Sequence, residues 1–432
     1  MGSARAMPYR NRPDLLVFWI VEHGMAEVLE QPSFGRLLKA LRQDRGLSQA
    51  QVAEGGMSTA YLSRLESGTR RPTAKVLTHL TERLDVPLSA FETTQMSPLG
   101  RALASASSSD DSDDAVRLLE EVVHAESGED LSLRWLSLWK LAQLHAKLGT
   151  RQQELATARQ LTELSDRMAV PTFQVRARTL LARCLRAVGE IAESRAVAQA
   201  AVSTVADQVL PVSDTVRAQL ALISVESESG MMAEARAHAE QLLGPIEELS
   251  TVLRAEVLWA VANVRIRQND YTGASELLER ALAELPSQDG LILWLRLRLA
   301  ACSLYLQMTP RRVAEARTCL EEAERALDLV GSPLHRQEML VIKTHLAFHQ
   351  RDLAQARALY DQLKDALPQL TFRDRVRLEV LSNQILILEG DRDTGVRNVE
   401  DLARQAEDAS NIHLASEIWR TLAETLAWDS EP

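Results

Sequence analysis

The sequence predicts an all-α chain: a small domain of five short helices followed by a superhelical array of helical hairpins. Three observations carry that expectation. The 432 residues hold 68 leucines but only 6 Phe, 7 Trp and 5 Tyr, with 18 Gly and 14 Pro, so Leu and Ala must fill the interior and strand-and-turn architectures are disfavoured. Short apolar-periodic stretches near the N-terminus open on cap residues and close on glycine. Beyond them, one spacing near 40 residues recurs to the end of the chain.

Residues 1–32 read as an N-terminal extension, because residues 1–24 share no pattern with the rest of the chain and Met25 is itself a plausible start. The apolar run Leu15–Val21 falls far short of the roughly 20 residues a bilayer span needs, and no A-x-A-like cleavage site comes after it. Neither a membrane span nor export is expected. Cys184, Cys302 and Cys319 have no partner spacing for a disulfide framework or a zinc site, so they read as buried small hydrophobes in a reducing, cytoplasmic setting.

From Ser33 the stretch SFGRLLKALRQDRG reads as a helix capped by Ser33, with Phe34, Leu37, Leu38 and Leu41 on one face and Gly46 as its stop. Ser48 caps QAQVAE, Gly55 and Gly56 make a tight turn, Ser58 caps TAYLSRLES, and Gly68 closes that helix. Pro72 and Thr73 open AKVLTHLTERL, and Pro87 begins a last short turn through Phe91.

The stretch LRQDRGLSQAQVAEGGMSTAYLSRLESGTRRPT resembles the helix-turn-helix of phage-repressor or XRE-type regulators, a likeness confined to residues 33–92. It lies in the opening Ser48-Gln49, the Val52-Ala53 pair, the small turn, Ser58 and the closing ESGTRRP, although Gln49 to Ser58 is one position shorter than the family's usual spacing. The resemblance implies a DNA-binding domain whose second helix enters the major groove. Ser58 would open that helix. Thr59, Ala60 and Ser63 would face bases, and Arg64 would make the bidentate contact to guanine. Gln49 would hold a phosphate at a helix N-terminus, Arg70 and Arg71 would contact further phosphates, and Tyr61 would stack on the sugar-phosphate edge. The plainer alternatives are that Arg64 pairs with a nearby acid and that Arg70-Arg71 is a solvated loop.

Charge divides the chain in the same place. Residues 33–92 carry nine Lys/Arg against six Asp/Glu, whereas residues 113–432 carry 36 against 48, which permits a basic reader in front of an acidic body. Residues 93–114, with ASASSSDDSDD, have too little apolar content to order themselves and read as a linker.

Residues 115–432 read as the array. A loop residue is followed five positions later by a helix-opening position, usually small: Gly149/Glu154, Gly189/Ser194, Gly230/Ala235, Asn269/Ala274, Arg311/Ala316, Arg351/Ala356 and Gly390/Gly395, spaced 40, 41, 39, 42, 40 and 39 residues apart. Such a recurrence signals stacked helical hairpins. The pattern resembles tetratricopeptide repeats, most clearly in NVRIRQNDYTGASELLERAL, with a longer period that implies longer helices. Leu291, Leu293, Leu295, Leu297 and Leu299 alternate as a strand would, but the repeat register places them in a first helix.

Six residues before each loop position stands a hydrogen-bonding side chain: Gln143, Arg183, Ser224, Asn263, Tyr305, His345 and Gln384. The tetratricopeptide resemblance implies that first helices line a concave surface, where such a column can grip a peptide backbone, with Arg265, Arg267, Arg296 and Arg298 for carboxylates. Equally, the position is simply solvated in every repeat. Trp135, Trp139, Trp259 and Trp294 read as core. No phosphate loop, HExxH or catalytic constellation is found, so neither an enzyme nor a cofactor or metal site is expected.

A helix-turn-helix module joined to a tetratricopeptide-like array resembles the peptide-responsive RRNPP-type regulators. That likeness implies a cytoplasmic homodimer on double-stranded DNA, reading a palindromic operator and sensing a signal peptide or small molecule through the array. The alternative is a constitutive interaction scaffold that tethers a partner protein to DNA.

Overall fold

The computed structural model describes residues 27–28, 31–93, 97–109, 111–123, 130–330 and 333–429, so the proposed extension up to residue 26 lies outside the described residues. The chain divides into two compact units, Met1–Ala104 and Ser105–Pro432.

The first unit contains α1 (Ser33–Asp44), α2 (Gln49–Ala53), α3 (Thr59–Glu66), α4 (Ala74–Leu84) and a 3-10 turn, Leu88–Phe91, as expected. Gly46, Gly55 and Gly68 all take left-handed backbone at the predicted stops. Ser48 and Gln51 form a reciprocal capping box at the start of α2. Phe34, Leu38, Val52, Leu62, Leu65, Leu80 and Phe91 are fully buried together. Gly35 is required where α1 meets α3, because a Cβ there would collide with the Leu65 carbonyl.

Two expectations at the domain's start are corrected. Ser33 is the first helical residue rather than the cap, since the side-chain oxygen accepting from the first turn belongs to Gln31, which takes the Gly35 N–H at 3.0 Å. The domain also begins before residue 33. Gln31 donates to the carbonyls of Leu65 and Arg70, and a two-residue strand β1 (Glu27–Val28) pairs antiparallel with β2 (Glu92–Thr93).

The expectation that residues 93–114 do not order themselves is corrected too, although the boundary between the two units falls among them. Pro98–Ser108 forms α5, with Leu99, Ala102, Leu103 and Ala106 buried, and Ser112–Val123 forms α6. Serine-rich composition masks an i, i+3, i+4 stripe sufficient to seat a helix.

The second unit is a run of antiparallel hairpins: α7 (Leu131–Leu148) with α8 (Arg151–Met168), α9 (Pro171–Val188) with α10 (Ile191–Ala206), and α11 (Val212–Glu228) with α12 (Met232–Leu243). Then come α13 (Thr251–Arg267) with α14 (Tyr271–Glu284), α15 (Leu291–Gln307) with α16 (Val313–Val330), α17 (Pro333–His349) with α18 (Leu353–Leu363), and α19 (Phe372–Leu388) with α20 (Arg392–Asp408). A single helix, α21 (Ile412–Asp429), ends the described array. Six of the seven loop positions have positive φ, and Ser194, Ala235, Ala274, Ala316 and Ala356 are buried at the close approach of the second helix to the first. Gly395 is the tightest: a Cβ there would lie 2.5 Å from Ile387 Cγ1 and 2.9 Å from the Asn383 carbonyl. The alternating leucines lie in α15, with Leu295, Leu297 and Leu299 buried, as the register requires.

The seventh loop differs. Met308–Arg312 separates α15 from α16, so Arg311 stands farther from the end of its first helix than the other loop residues do and lacks their positive φ.

The array closes on itself. First helices five hairpins apart touch: α7 meets α17, α9 meets α19, and α11 meets α21. Arg151 Nε donates to the Gln369 carbonyl at 3.2 Å, and Arg420 Nη1 to Asn269 Oδ1 at 3.2 Å, across this closure. The concave side is thereby a channel rather than an open groove. Among the described residues no helix is long and apolar enough to cross a membrane.

Candidate functional site

The first candidate surface is α3. Ser58 caps it by accepting the Tyr61 N–H at 3.2 Å, which fixes where the helix starts and hence which side chains face outward. Thr59, Ala60, Ser63 and Arg64 form one exposed stripe, while Leu62, Leu65 and Glu66 fill the opposite face. Arg64 does not pair with Glu66. Its Nε turns back to the Ala60 carbonyl at 3.3 Å. Glu66 is instead gripped by Arg42, with contacts of 2.6 and 3.1 Å, and by Gln49 Nε2 at 2.8 Å. Burial opposes ionisation of this carboxyl, but the Arg42 and Gln49 bonds and the Arg42 charge hold it below the usual carboxylate range. The network ties α1, α2 and α3 together.

That network changes the expectation for Gln49. One amide hydrogen is committed to Glu66, leaving one for a phosphate contact. Tyr61 is half-buried rather than free: its hydroxyl donates to the Arg71 carbonyl at 3.4 Å, and the Arg70 guanidinium sits 5.3 Å from its ring centre. It holds the loop that displays Arg70 and Arg71, both exposed.

The second candidate is the channel of the array, a cavity of about 500 Å³ lined by α9, α11, α13, α15, α17 and α19. The predicted column is brought together only in part. Arg183, Ser224, Asn263 and His345 line the cavity, as does Arg267 one turn beyond Asn263. Gln143, Tyr305 and Gln384 do not. Gln143 stands exposed on α7, outside the lining, and Gln384 Nε2 donates to Thr425 Oγ1 of the terminal helix at 2.7 Å. Tyr305 is buried on the far side of α15, where its hydroxyl donates to Glu279 Oε1 at 3.2 Å. The longer loop after α15 shifts the count by two, and Ser303 occupies the column position instead.

Counting by the same register reveals lining residues that the sequence reading misses. Seven residues before the column, Arg217, Glu256, Arg296, Glu338 and Arg377 form a second tier. Four residues after it, Glu228, Arg267, Gln307 and His349 form a third. Helical periodicity stacks these offsets on one face. Trp259, one turn before Asn263, packs against the core and also lines the cavity under the Arg296 guanidinium, 5.0 Å from its ring centre, so the core expectation holds for it only in part. It holds fully for Trp135, which stacks on Phe173 at 4.4 Å. Arg265 and Arg298 are spent elsewhere, on Asp270 at 3.3 Å and Glu322 at 2.6 Å.

The lining is basic although the body is acidic: Arg183, Arg186, Arg217, Arg267, Arg296, Arg373 and Arg377 face Glu228, Glu256, Glu338 and Asp374. Glu228, 3% exposed, takes Arg186 at 2.8 Å and Arg267 at 3.0 Å, with Arg373 at 4.0 Å. Burial disfavours its charge, yet the three guanidiniums hold it below the ordinary value. Burial and then Arg373 push Arg267 down to about 9. Burial, with Arg377 beside it, pushes His345 down to about 3, so this imidazole is neutral at pH 7.

The helix-turn-helix family HTH_3 matches residues 38–91. Residues 38–91 are a helix-turn-helix domain. No curated protein matches the chain. Among solved structures, a Rap protein complexed with Competence and Sporulation Factor is similar at 12% identity and a TM-score of 0.52, over 97% of this chain and 99% of its own. The Rap conjugation gene regulator of plasmid pLS20, in complex with the Phr* peptide, is similar at 11% identity and a TM-score of 0.51, over 90% and 99%. At such identities the likeness is one of fold: residues 105–432 are a tetratricopeptide-like helical solenoid.

Proposed function

We propose that the protein is a sequence-specific DNA-binding transcription regulator whose array binds a signal, a short peptide or a small molecule, in its closed channel. The observation that carries the DNA half is the exposed stripe Thr59, Ala60, Ser63 and Arg64 on the helix that a helix-turn-helix presents to the major groove. The ligand half is supported by the basic channel and by two solved proteins of similar fold, one complexed with Competence and Sporulation Factor and one with the Phr* peptide. The regulator acts in the cytoplasm as a homodimer on a palindromic operator, because half-sites about 34–36 Å apart need two reading helices. A ligand that prefers one curvature of the solenoid shifts the two readers by no more than its differential affinity for the two states.

The test is in vitro selection of duplex DNA with the intact chain, followed by anisotropy titration. Arg64→Ala should cost about 1–3 kcal/mol on the selected site and leave random DNA untouched. Equal loss on both overturns base reading, and failure to select any site overturns the DNA half.

A further inference from the structure

Five of the seven arginines that line the channel are paired with a carboxylate. Arg217 pairs with Glu256 at 3.2 Å, Arg373 and Arg377 share Glu417 at 3.0 and 2.7 Å, and Arg186 and Arg267 share Glu228. Two guanidiniums remain. Arg183, on α9, has no hydrogen bond or ion pair among the described residues, and Arg296, on α15, is held only over the Trp259 ring. Both line the same 500 Å³ cavity from helices three hairpins apart in a five-hairpin turn.

Arg183 stands exposed on the channel wall and Arg296 is half-buried, and two like charges lining one cavity favour an anion between them. Glu338 meets neither at ion-pair distance: burial raises that carboxyl above the usual range although the Arg296 charge draws it back, and it makes no ion pair within 4 Å among the described residues. Two forked donors with no carboxylate partner, facing one cavity, match the planar geometry of a carboxylate, and Trp259 supplies an apolar wall beside it.

We infer that Arg183 and Arg296 form the anchoring subsite for a carboxylate on the channel's ligand, which is either the free C-terminus of a short peptide or a small organic polyacid. The inference rests on reading the channel as a ligand site. Its chemistry is the same for both sources, since each presents two coplanar oxygens of net negative charge.

The experiment titrates the intact chain with a library of pentapeptides bearing free C-termini, the same library C-terminally amidated, and citrate, read by thermal shift and by tryptophan fluorescence. Free-acid peptides, or citrate, should bind at least tenfold more tightly than the amidated library. Arg183→Gln and Arg296→Gln should each abolish that preference. Arg183→Gln should leave the Tm of the unliganded chain unchanged or higher, because no partner is lost, so a failure to fold cannot account for lost binding. Equal binding of acid and amide, or full affinity in Arg183→Gln, overturns the carboxylate subsite while leaving a ligand-binding channel intact. No saturable response to any of the three, with DNA binding retained, overturns the channel reading as well.

Discussion

Replacing Glu228 with glutamine removes one charge from a buried junction of the array. The consequence depends on which cation is left without a partner. Arg373 keeps Glu417 at 3.0 Å, and the Arg186 side chain is 36% exposed, so water can solvate it. Arg267 is different: 8% exposed, with a Ser227 hydroxyl as its remaining partner and an Nε that bonds to nothing among the described residues. Removing one member of a buried pair costs about 3–5 kcal/mol, and with a single orphaned cation the lower end applies, about 3 kcal/mol. With an unfolding entropy of about 2 cal/mol/K per residue across Ser105–Pro432, that loss lowers Tm by about 4 °C. Tryptophan fluorescence tracks it cleanly, because residues 33–92 contain no tryptophan and six of the seven lie between 135 and 428. Adding Arg267→Met removes the orphan and should recover most of the loss. A shift below 1 °C in Glu228→Gln, or a double variant no more stable than the single, would refute the reasoning.

The same contacts set further outcomes. Gly395→Ala should destabilise the array by about 1–2 kcal/mol in urea unfolding, because overpacking against Ile387 and the Asn383 carbonyl outweighs a helix-propensity gain of about 1 kcal/mol; a stabilised variant would contradict the close approach. Glu66→Gln should weaken the helix-turn-helix domain by about 3 kcal/mol and lower DNA affinity with it, since Arg42, with a 12% exposed side chain, loses its counter-ion; chemical denaturation monitored by circular dichroism measures this. Replacing Arg70 with Ala should reduce the slope of log affinity against log salt by about one on every DNA sequence. Acid should weaken the array from pH 6.5 downward. Burial and neighbouring arginines push His335 and His349 down to about 4, and His345 and His413 to about 3. The unfolded chain therefore takes up protons near pH 6.5 that the folded chain refuses, at about 1 kcal/mol per histidine by pH 5.5, less where solvent reaches the ring. Glu417, held at about 2 despite burial by Arg377 and Arg373, adds its loss only below about pH 4.5, and equal urea midpoints at pH 7 and 5.5 would contradict the histidine assignment.

The helices are legible in the sequence because their signals are local. Ser48, Gly55, Ser58 and Gly68 act on the backbone within a few residues, and each sits where cap and stop chemistry requires. The hairpin register is legible because a left-handed loop residue and a small buried partner recur at fixed spacing. The features that escape are set by contacts distant in sequence or by a local change in loop length. The count lands on Tyr305 rather than Ser303 because the Met308–Arg312 loop breaks the spacing. Gln384 leaves the column because α21, a single helix beyond the last hairpin, covers it. Trp259 looks like core alone because an apolar-rich first helix gives no sign that closure of the superhelix turns one of its faces into a channel wall. Pro98–Ser108 looks like linker when composition is weighed above a four-residue apolar stripe.

The central claim is that α3 reads DNA bases through its exposed stripe. The most direct measurement is genome-wide occupancy of the intact chain beside a chain carrying Thr59→Ala, Ser63→Ala and Arg64→Ala. The account predicts discrete sites sharing one palindromic sequence, lost in the triple variant while its helix-turn-helix domain stays folded by circular dichroism. The same discrete sites in both chains would contradict it.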